Sequence, residues 1–364
     1  MPSRETFAYR RALKLRAQKA VDDTDSTVDS VFARAQDDFL TFCTIMDKAP
    51  AHHMLEWHKH LITGVSNRYL LDIAGPNLDI LAPRGSAKST VLNMFTAWII
   101  GRHTSKGMPL QIIYCSYNIA TAIPKSRIIK QIIDSTSFKK IFPKVKLKSG
   151  MQSDIGWSID FDYAGIDRVG DEEFTLRAAG LRGSITSKRA HLVIVDDPIK
   201  SSADIKNPAV RDEMNNNWSS VIAPIVFEGG RSICLGTRFH PLDIHKTMFS
   251  PTKGWKQVSQ EALTYDSEGD AVSYWPEQWS VEYLQQQKEL DPVAFAFQYQ
   301  QQPVMTSDLV LSPDLIVKGE VETEFDSLAV GIDLSASKNE TSDYTAFVLG
   351  GRLKDKFYII DAHQ

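Results

Sequence analysis

Cysteine is scarce in this chain, which has three among 364 residues and no C-x-x-C pair. This scarcity excludes a disulfide framework and a cysteine zinc site, and it suits a reducing compartment. Long apolar runs are also missing, so no segment is expected to span a membrane. The first residues carry charges without an apolar signal core, and we therefore expect no export.

A large net charge is missing as well. The formal charge of −4 argues against a chain coated throughout by nucleic acid. Two local basic runs, residues 1–20 and 125–148, either contact phosphates or form solvated faces. No internal repeat or low-complexity tract is present. With 43% hydrophobic and 24% charged residues, the composition is that of an ordinary globular protein, long enough for two structural units.

The most informative segment is residues 78–90, which reads LDILAPRGSAKST. A short apolar run meets a polar turn that ends in Lys-Ser-Thr, and the apolar run 91–100 follows. Strand, turn and helix in this order predict a phosphate-binding loop. In such a loop, backbone N–H groups and a helix N-terminus attract phosphate oxygens. Lys88 would then reach the β- and γ-phosphates, and Ser89 would ligate Mg²⁺.

The loop departs from the usual pattern G-x-x-x-x-G-K-[ST] at both glycines. Ala82 and Ala87 occupy those positions. A polar turn before a buried helix is the alternative interpretation of this segment alone.

A second signal lies at residues 191–198, HLVIVDDP. Four consecutive apolar residues are typical of a strand buried on both faces of a parallel sheet. Carboxylates at the end of such a strand stand where open α/β sheets bind ligands. Asp196 would hold Mg²⁺, and Asp197 would lie beside the attacking water. The alternative is a surface strand that ends in two solvated acids.

Alternating strands and helices between residues 60 and 250 predict an α/β fold with a doubly wound, mainly parallel sheet. Residues 111–114 and 231–235 read as buried strands, and 173–178 and 184–186 as edge strands. Residues 121–133 read as a helix with five isoleucines directed inward, namely Ile123, Ile128, Ile129, Ile132 and Ile133.

The pattern changes after a turn-rich segment at residues 306–324. Three short apolar runs, 328–334, 345–350 and 356–361, predict a meander of hairpin-linked strands. Asp333 interrupts the first run and Asp343 precedes the second. An acid in a buried strand is costly unless it is paired or bound to metal. Ribonuclease H-type metal nucleases begin this way, and a small β-domain with turn aspartates is the alternative.

Taken in order, these segments resemble the large terminase subunits of tailed bacteriophages, the motors that package DNA into proheads. The resemblance covers roughly residues 40–350, through APRGSAKST, IIYCSYN, IFPKVKL, VIVDDP, GTRFHPLDI, FAFQYQQQP, GIDLS and SDYTAF. It implies a P-loop NTPase motor domain at 36–305, preceded by a basic arm at 1–35. A linker at 306–326 and a ribonuclease H-like nuclease domain at 327–364 would follow.

The resemblance also implies a site for ATP and Mg²⁺. Its phosphate-binding residues would be Pro83, Arg84, Gly85, Ser86, Ala87, Lys88, Ser89 and Thr90, and the hydrolysis-sensing pair would be Gly236 and Thr237. Ser89 and Asp196 would hold Mg²⁺, Asp197 would orient water, and Arg84 would add charge beside the γ-phosphate. Arg182 or Arg189 would supply a cationic finger to a neighbouring subunit. A structural salt bridge is the alternative for either arginine.

Implied partners are double-stranded viral DNA, a portal protein, a small terminase subunit and further copies in a homo-oligomeric ring on the prohead, in the host cytoplasm. The nuclease domain would bind Mg²⁺ or Mn²⁺ through Asp333 and Asp343. Only Asp361 could be added to these acids, and so few strands bury little core. We therefore expect a truncated or split nuclease, and a chain that hydrolyses ATP without cutting DNA. A P-loop helicase or DNA translocase, and a non-catalytic DNA- or portal-binding protein with a degenerate loop, are the open alternatives.

Overall fold

A computed structural model describes residues 24–47, 52–166, 174–183, 185, 189–303, 319, 324–333, 346–354 and 356–363. The chain divides into two compact units, residues 1–306 and 307–364. Most of the predicted linker, most of the basic arm and Asp343 lie outside the described residues. Within the described ranges, no helix combines the length and apolar character needed to cross a bilayer.

The first unit combines helices with a large sheet. Its described α-helices are α1 (Thr24–Asp37), α2 (Phe39–Ile45), α3 (His52–Leu61), α4 (Lys88–Ser105), α5 (Ile119–Asp134), α6 (Thr136–Ile141), α7 (Phe161–Ala164), α8 (Ser202–Ile205), α9 (Pro208–Asn217), α10 (Ile244–Thr247), α11 (Val281–Leu290) and α12 (Pro292–Gln298). Its strands are β1 (Leu78–Leu81), β2 (Ile112–Ser116), β3 (Leu147–Gln152), β4 (Gly156–Ile159), β5 (Leu176–Gly180), β6 (Ala190–Asp196), β7 (Val226–Gly236), β8 (Lys256–Ser259), β9 (Leu263–Tyr265) and β10 (Ala271–Ser273).

Eight strands form one sheet in the order β3-β4-β5-β2-β6-β7-β1-β8. The six strands from β5 to β8 in this order are parallel, and β3 and β4 add an antiparallel edge. The predicted mainly parallel α/β sheet is thus confirmed. The order places the C-terminal ends of β6, β7 and β1 side by side, and at such adjacent ends open α/β sheets bind ligands.

The buried strands read as continuous apolar runs because both faces of the sheet are covered. In β6, Leu192 and Ile194 belong to one hydrophobic core, and Val193 and Val195 belong to the other. β2 alternates between the same two cores. Helix α4 is buried along most of its length, and it lies in the first core.

Two details of the sequence prediction are wrong. In α5, Ile129 and Ile133 are buried, but Ile128 is 41% exposed because it lies on the outer face of the helix. The strand predicted at 173–178 as an edge is β5, an interior strand between β4 and β2. The strand is short, and the half-buried Arg177 within it makes its sequence resemble that of an edge strand.

The second unit contains β11 (Ser327–Asp333), β12 (Ala346–Leu353) and β13 (Lys356–His363). They form a three-stranded antiparallel sheet in chain order, which confirms the predicted meander. Asp333 is the last residue of β11 and pairs with Ala346 of β12.

Candidate active site

The predicted phosphate-binding loop connects β1 to α4, and its backbone is left-handed at two positions. Gly85 has φ +75° and Ala87 has φ +62°. The start of the loop is tied to the neighbouring strand, because the Ala82 N–H donates to the Gly236 carbonyl at 2.9 Å. Helix α4 begins immediately after Ala87, so its first N–H groups point into the loop. The loop therefore keeps a tight turn although alanine replaces both glycines.

Lys88, the first residue of α4, has a buried side chain that is 5% exposed. Its ammonium group donates to the Pro83 carbonyl at 3.0 Å and to Thr237 Oγ1 at 2.9 Å. Asp197 Oδ1 lies 3.6 Å from the same Nζ atom. Thr237 in turn donates to the Ala82 carbonyl at 2.8 Å. The lysine thus connects the loop to the strand ends that carry the two acids and Thr237.

Asp196 ends β6 and is 1% exposed. Ser89 Oγ donates to Asp196 Oδ1 at 2.9 Å, and the Tyr114 hydroxyl lies 3.1 Å from Oδ2. Lys125 Nζ is 3.6 Å from Oδ2. The pKa of Asp196 is raised to about 6, first by burial and then by the charge of Asp197, and these two effects outweigh Lys125 and the hydrogen bonds of Ser89 and Tyr114, which lower it. The carboxylate therefore favours an additional cation.

The donor set fits Mg²⁺. Ser89 and Asp196 present hard oxygen atoms at one point of the site, and Mg²⁺ prefers such ligands from one or two protein side chains plus phosphate oxygens. A divalent cation there would also compensate the charge that burial destabilises in Asp196.

Asp197 follows Asp196 but has a different backbone and environment. Its φ of +45° is unusual for a non-glycine residue, and its N–H donates to the Leu235 carbonyl at 3.0 Å. The side chain is 45% exposed. The left-handed turn therefore directs two consecutive carboxylates into different surroundings, one buried and one accessible to solvent.

A cavity of about 300 Å³ opens at these strand ends. The lining residues are Arg84, Gly85, Lys88, Ser89, Ser116, Tyr117, Thr121, Lys125, Asp196, Asp197, Ile199, Lys200, Thr237 and Phe239. Among the predicted phosphate-binding residues, Pro83, Ser86 and Ala87 lie in the loop without lining the cavity, and Thr90 is exposed on the first turn of α4.

The sequence interpretation missed Tyr117, Thr121, Lys125, Lys200 and Phe239. Lys125 belonged to a basic run with two equally acceptable explanations. The sequence held no signal that selected it, because the pairing of β2 with β6, which brings the first turns of α5 near the acids, is a property of the fold.

The predicted arginines lie in different places. Arg84 lines the cavity and is exposed, and its backbone N–H donates to the Gln298 carbonyl at 2.9 Å. Arg182 donates to Glu213 Oε2 at 2.7 Å and to the Tyr117 hydroxyl at 3.1 Å. Arg189 donates to the Pro224 carbonyl at 3.2 Å. Neither Arg182 nor Arg189 lines the cavity, and Arg182 forms the salt bridge that was its alternative.

Gly236 is packed against a buried histidine. A Cβ atom at this position would lie 2.5 Å from His245 Cε1. His245 Nδ1 is 3.0 Å from Asp79 Oδ1, and Gln257 Nε2 donates to the other oxygen of Asp79 at 2.9 Å. Burial lowers the pKa of His245, but the charge of Asp79 and its hydrogen bond outweigh burial, and the net pKa is raised. This buried pair was not predicted from the sequence.

A small third core packs on the outer side of the loop. It is built from residues 262–299, including Leu263, Leu284 and Phe295. Trp279 closely approaches the loop, because a Cβ atom at Gly85 would lie 2.7 Å from Trp279 Cζ2. Glycine at position 85 is therefore required both by the positive φ and by this indole.

No family model matches the chain. Among curated proteins, it is similar to the large terminase subunit of Enterobacteria phage T3, with 23% identity over 252 residues. The match covers 67% of this chain and 39% of the relative, so the chain spans about two fifths of that protein's length. This similarity confirms the resemblance that the order of the motifs predicts.

Solved structures of large terminases are also similar to the chain. A mutant of the Thermus phage P74-26 large terminase ATPase domain has a TM-score of 0.43 and 11% identity, over 72% of this chain and 98% of that one. The bacteriophage HK97 large terminase has a TM-score of 0.37 and 15% identity, over 77% of this chain and 57% of that one.

Proposed function

We propose that this chain is the ATP-hydrolysing motor part of a large terminase subunit of a tailed bacteriophage. The observation that carries the proposal is the meeting of Lys88 and Ser89 with the two acids of β6. Ser89 Oγ lies 2.9 Å from Asp196 Oδ1, and Lys88 Nζ lies 3.6 Å from Asp197 Oδ1, at one cavity. A loop lysine, a loop hydroxyl and a strand-end acid are the parts that P-loop phosphoryl transfer uses.

Each residue has a role in binding or hydrolysis. The Lys88 ammonium bonds to phosphate oxygens, and the N–H groups at the start of α4 hold the same phosphates. Asp197, exposed at the cavity, accepts a hydrogen bond from the attacking water and orients it. Thr237 links Lys88 to the Ala82 carbonyl, so a movement of the lysine shifts the end of β7.

Ser89 and Asp196 would hold Mg²⁺. When bound, the ion supplies positive charge to the phosphate oxygens of ATP. Tyr114 keeps the Asp196 carboxylate in place from its other oxygen.

The partners follow from the resemblance to large terminase subunits. They are double-stranded viral DNA, a portal protein, a small terminase subunit and further copies in a ring on the prohead, in the host cytoplasm. The motor domain at 36–305 follows a basic arm at 1–35, and a linker at 306–326 leads to the nuclease part at 327–364. Asp333 and Asp343 would hold Mg²⁺ or Mn²⁺ there.

A cation from a neighbouring subunit also belongs to the proposal, with Arg182 or Arg189 as its source. Arg182 would have to exchange Glu213 and Tyr117 for the neighbour's phosphate. That exchange makes Arg182 responsive to assembly, because the ion pair within its own chain competes with the contact between subunits.

The antiparallel sheet of the second unit favours a terminase over a helicase. A helicase would continue into a second P-loop-like lobe, whereas the described strands of residues 307–364 form an antiparallel meander. The non-catalytic alternative would require a loop that no longer binds phosphate.

A titration with a fluorescent ATP analogue, with and without Mg²⁺, tests the nucleotide site. We expect saturable binding that Mg²⁺ strengthens. An ATPase assay with double-stranded DNA, and with portal protein present and absent, then tests the motor. Lack of nucleotide binding at millimolar ATP would refute the proposal and favour the non-catalytic alternative, and binding without any turnover would refute ATP hydrolysis by this chain.

A further inference from the structure

Lys125 lies in the second turn of α5, and the start of this helix is held firmly against the sheet. Asn118 and Thr121 cap it reciprocally, since Asn118 Oδ1 accepts from the Thr121 N–H at 2.9 Å and Thr121 Oγ1 accepts from the Asn118 N–H at 3.2 Å. A Cβ atom at Gly180 of β5 would lie 2.6 Å from the Ile119 nitrogen. The backbone that carries Lys125 is therefore fixed relative to the strand ends.

The Lys125 side chain points into the cavity from a different element than the phosphate-binding loop. It is 28% exposed, and its Nζ atom lies 3.6 Å from Asp196 Oδ2. A separation of 3.6 Å is too long for a hydrogen bond, and Nζ has no closer partner among the described residues. The ammonium group thus keeps its donors for a ligand.

The other cations of the cavity are engaged or exposed. Lys88 donates hydrogen bonds to the Pro83 carbonyl and to Thr237, and it lies on the side of the cavity formed by the loop. Arg84 and Lys200 are exposed, so water and salt screen their charges. A cation beside a buried carboxylate acts at a lower effective dielectric, where its field on a phosphoryl group is stronger.

We infer that Lys125 supplies, from within its own subunit, positive charge to the transferring γ-phosphoryl group. This inference rests on the proposed ATP hydrolysis. In that step, the water oxygen forms a bond to the γ-phosphorus, and the bond to the β,γ-bridging oxygen breaks. The electron pair stays on ADP, and a water proton passes through Asp197 to solvent. Lys125 is unchanged, and it stabilises the charge on the γ-phosphoryl oxygens during transfer.

The test compares Lys125→Gln with Lys130→Gln, a matched control on the same helix. Lys130 donates to Asp154 Oδ1 at 2.7 Å and does not line the cavity. We expect Lys125→Gln to lower kcat about 10²-fold while the Kd for ADP with Mg²⁺ changes less than about threefold, because ADP lacks the γ-phosphate. Lys130→Gln should keep the wild-type kcat, and Lys125→Arg, which keeps the charge, should retain at least about a tenth of it.

A mixing experiment separates action within a subunit from action between subunits. Lys88→Ala subunits have an inactive loop but an intact Lys125. If Lys125 serves its own site, adding them to Lys125→Gln subunits restores no turnover. Restored turnover would overturn the assignment within one subunit.

The failures of the two ideas are distinguishable. Wild-type protein that neither binds nor hydrolyses ATP would refute both. Wild-type turnover that depends on Lys88 but persists in Lys125→Gln would refute the role of Lys125 alone. If circular dichroism shows that Lys125→Gln does not fold, the turnover of Lys125→Arg tests the role of the charge. A folded but inactive Lys125→Arg would then count against the role of charge.

Discussion

Ala87 holds a left-handed backbone conformation, φ +62°, that costs an alanine roughly 1–2 kcal/mol. Ala82, at the other glycine position of the loop pattern, has an ordinary φ and is fully buried. The two alanines therefore replace glycine at different cost, although they look equivalent in the sequence. The strain at Ala87 places the first N–H groups of α4.

We expect Ala87→Gly to raise the free energy of unfolding by about 1 kcal/mol, because relief of the strain exceeds the added chain entropy. Ala82→Gly is the matched control and should lower it by about 1 kcal/mol, since a buried methyl group is lost. Urea denaturation of both variants measures the two effects. A decrease in both would contradict the strain at position 87.

Lys88→Ala should lower ATP turnover at least about 10²-fold, because in the proposed function its ammonium is the loop charge that reaches the transferring phosphates. Folding should be retained, and Lys106→Ala, at the other end of α4 and half exposed, is the control. Steady-state ATPase rates and circular dichroism give the comparison. Unchanged turnover in Lys88→Ala would remove the nucleotide assignment.

Substitutions of Asp196 and Asp197 should have different effects on nucleotide binding and hydrolysis. Asp196→Asn should weaken Mg²⁺-dependent nucleotide binding, whereas Asp197→Asn should preserve binding and block hydrolysis. With the pKa of Asp196 at about 6, a proton competes with Mg²⁺ in acid, so wild-type binding should weaken as pH falls below about 6. Titrations from pH 5 to 8 test this. Equal loss of binding in both variants would contradict the division of roles.

At the scale of elements, β7 is the strand that connects the two halves of the site. It lies between β6 and β1, with Leu81 opposite Gly236 and Asp196 opposite Leu235. Thr237 therefore stands between the loop and the acids, where it can respond to both. The packing of Gly236 on His245 limits the space for any movement of this strand end.

The His245–Asp79 pair predicts a pH dependence of stability. Because the pKa of His245 is raised in the folded state, its contribution is complete below the unfolded pKa of about 6.5 and is lost as pH rises through the higher folded value. The free energy of unfolding should therefore fall as pH rises above about 6.5, and His245→Gln should remove this fall.

His240→Gln is the control for this measurement. Burial lowers the pKa of His240, so its contribution to the free energy of unfolding is lost as pH falls. This pH dependence is opposite in sign to that of His245. Urea denaturation across the pH range compares the three proteins. If the stabilities of the wild type and of His245→Gln change in parallel above about pH 6.5, the raised pKa of His245 is contradicted.

At the scale of the whole molecule, all cavity-lining residues lie between positions 84 and 239, within the first unit. A protein limited to residues 1–306 should therefore bind ATP analogues within about threefold of the full chain's affinity, as expected for a domain with its own core. The same protein with Lys88→Ala provides the control. Loss of binding in a folded 1–306 protein would show that the second unit contributes to the site.

The sequence by itself determined the local parts of this protein. Continuous apolar runs at β2 and β6 predicted strands covered on both faces, and the turn before Lys88 predicted the loop. The Asp196–Asp197 pair stood out because charged residues end an apolar run. These signals are readable because burial and backbone preference act within a few neighbouring residues.

Only the tertiary structure decided which side chains meet. The interior place of β5, the Asp79–His245 pair, the contact of Trp279 with Gly85 and the approach of Lys125 to Asp196 all depend on strand order. Strand order results from pairing between distant segments, which local periodicity does not record. A lysine in a basic run therefore looks like a solvated charge until the fold places it beside a buried carboxylate.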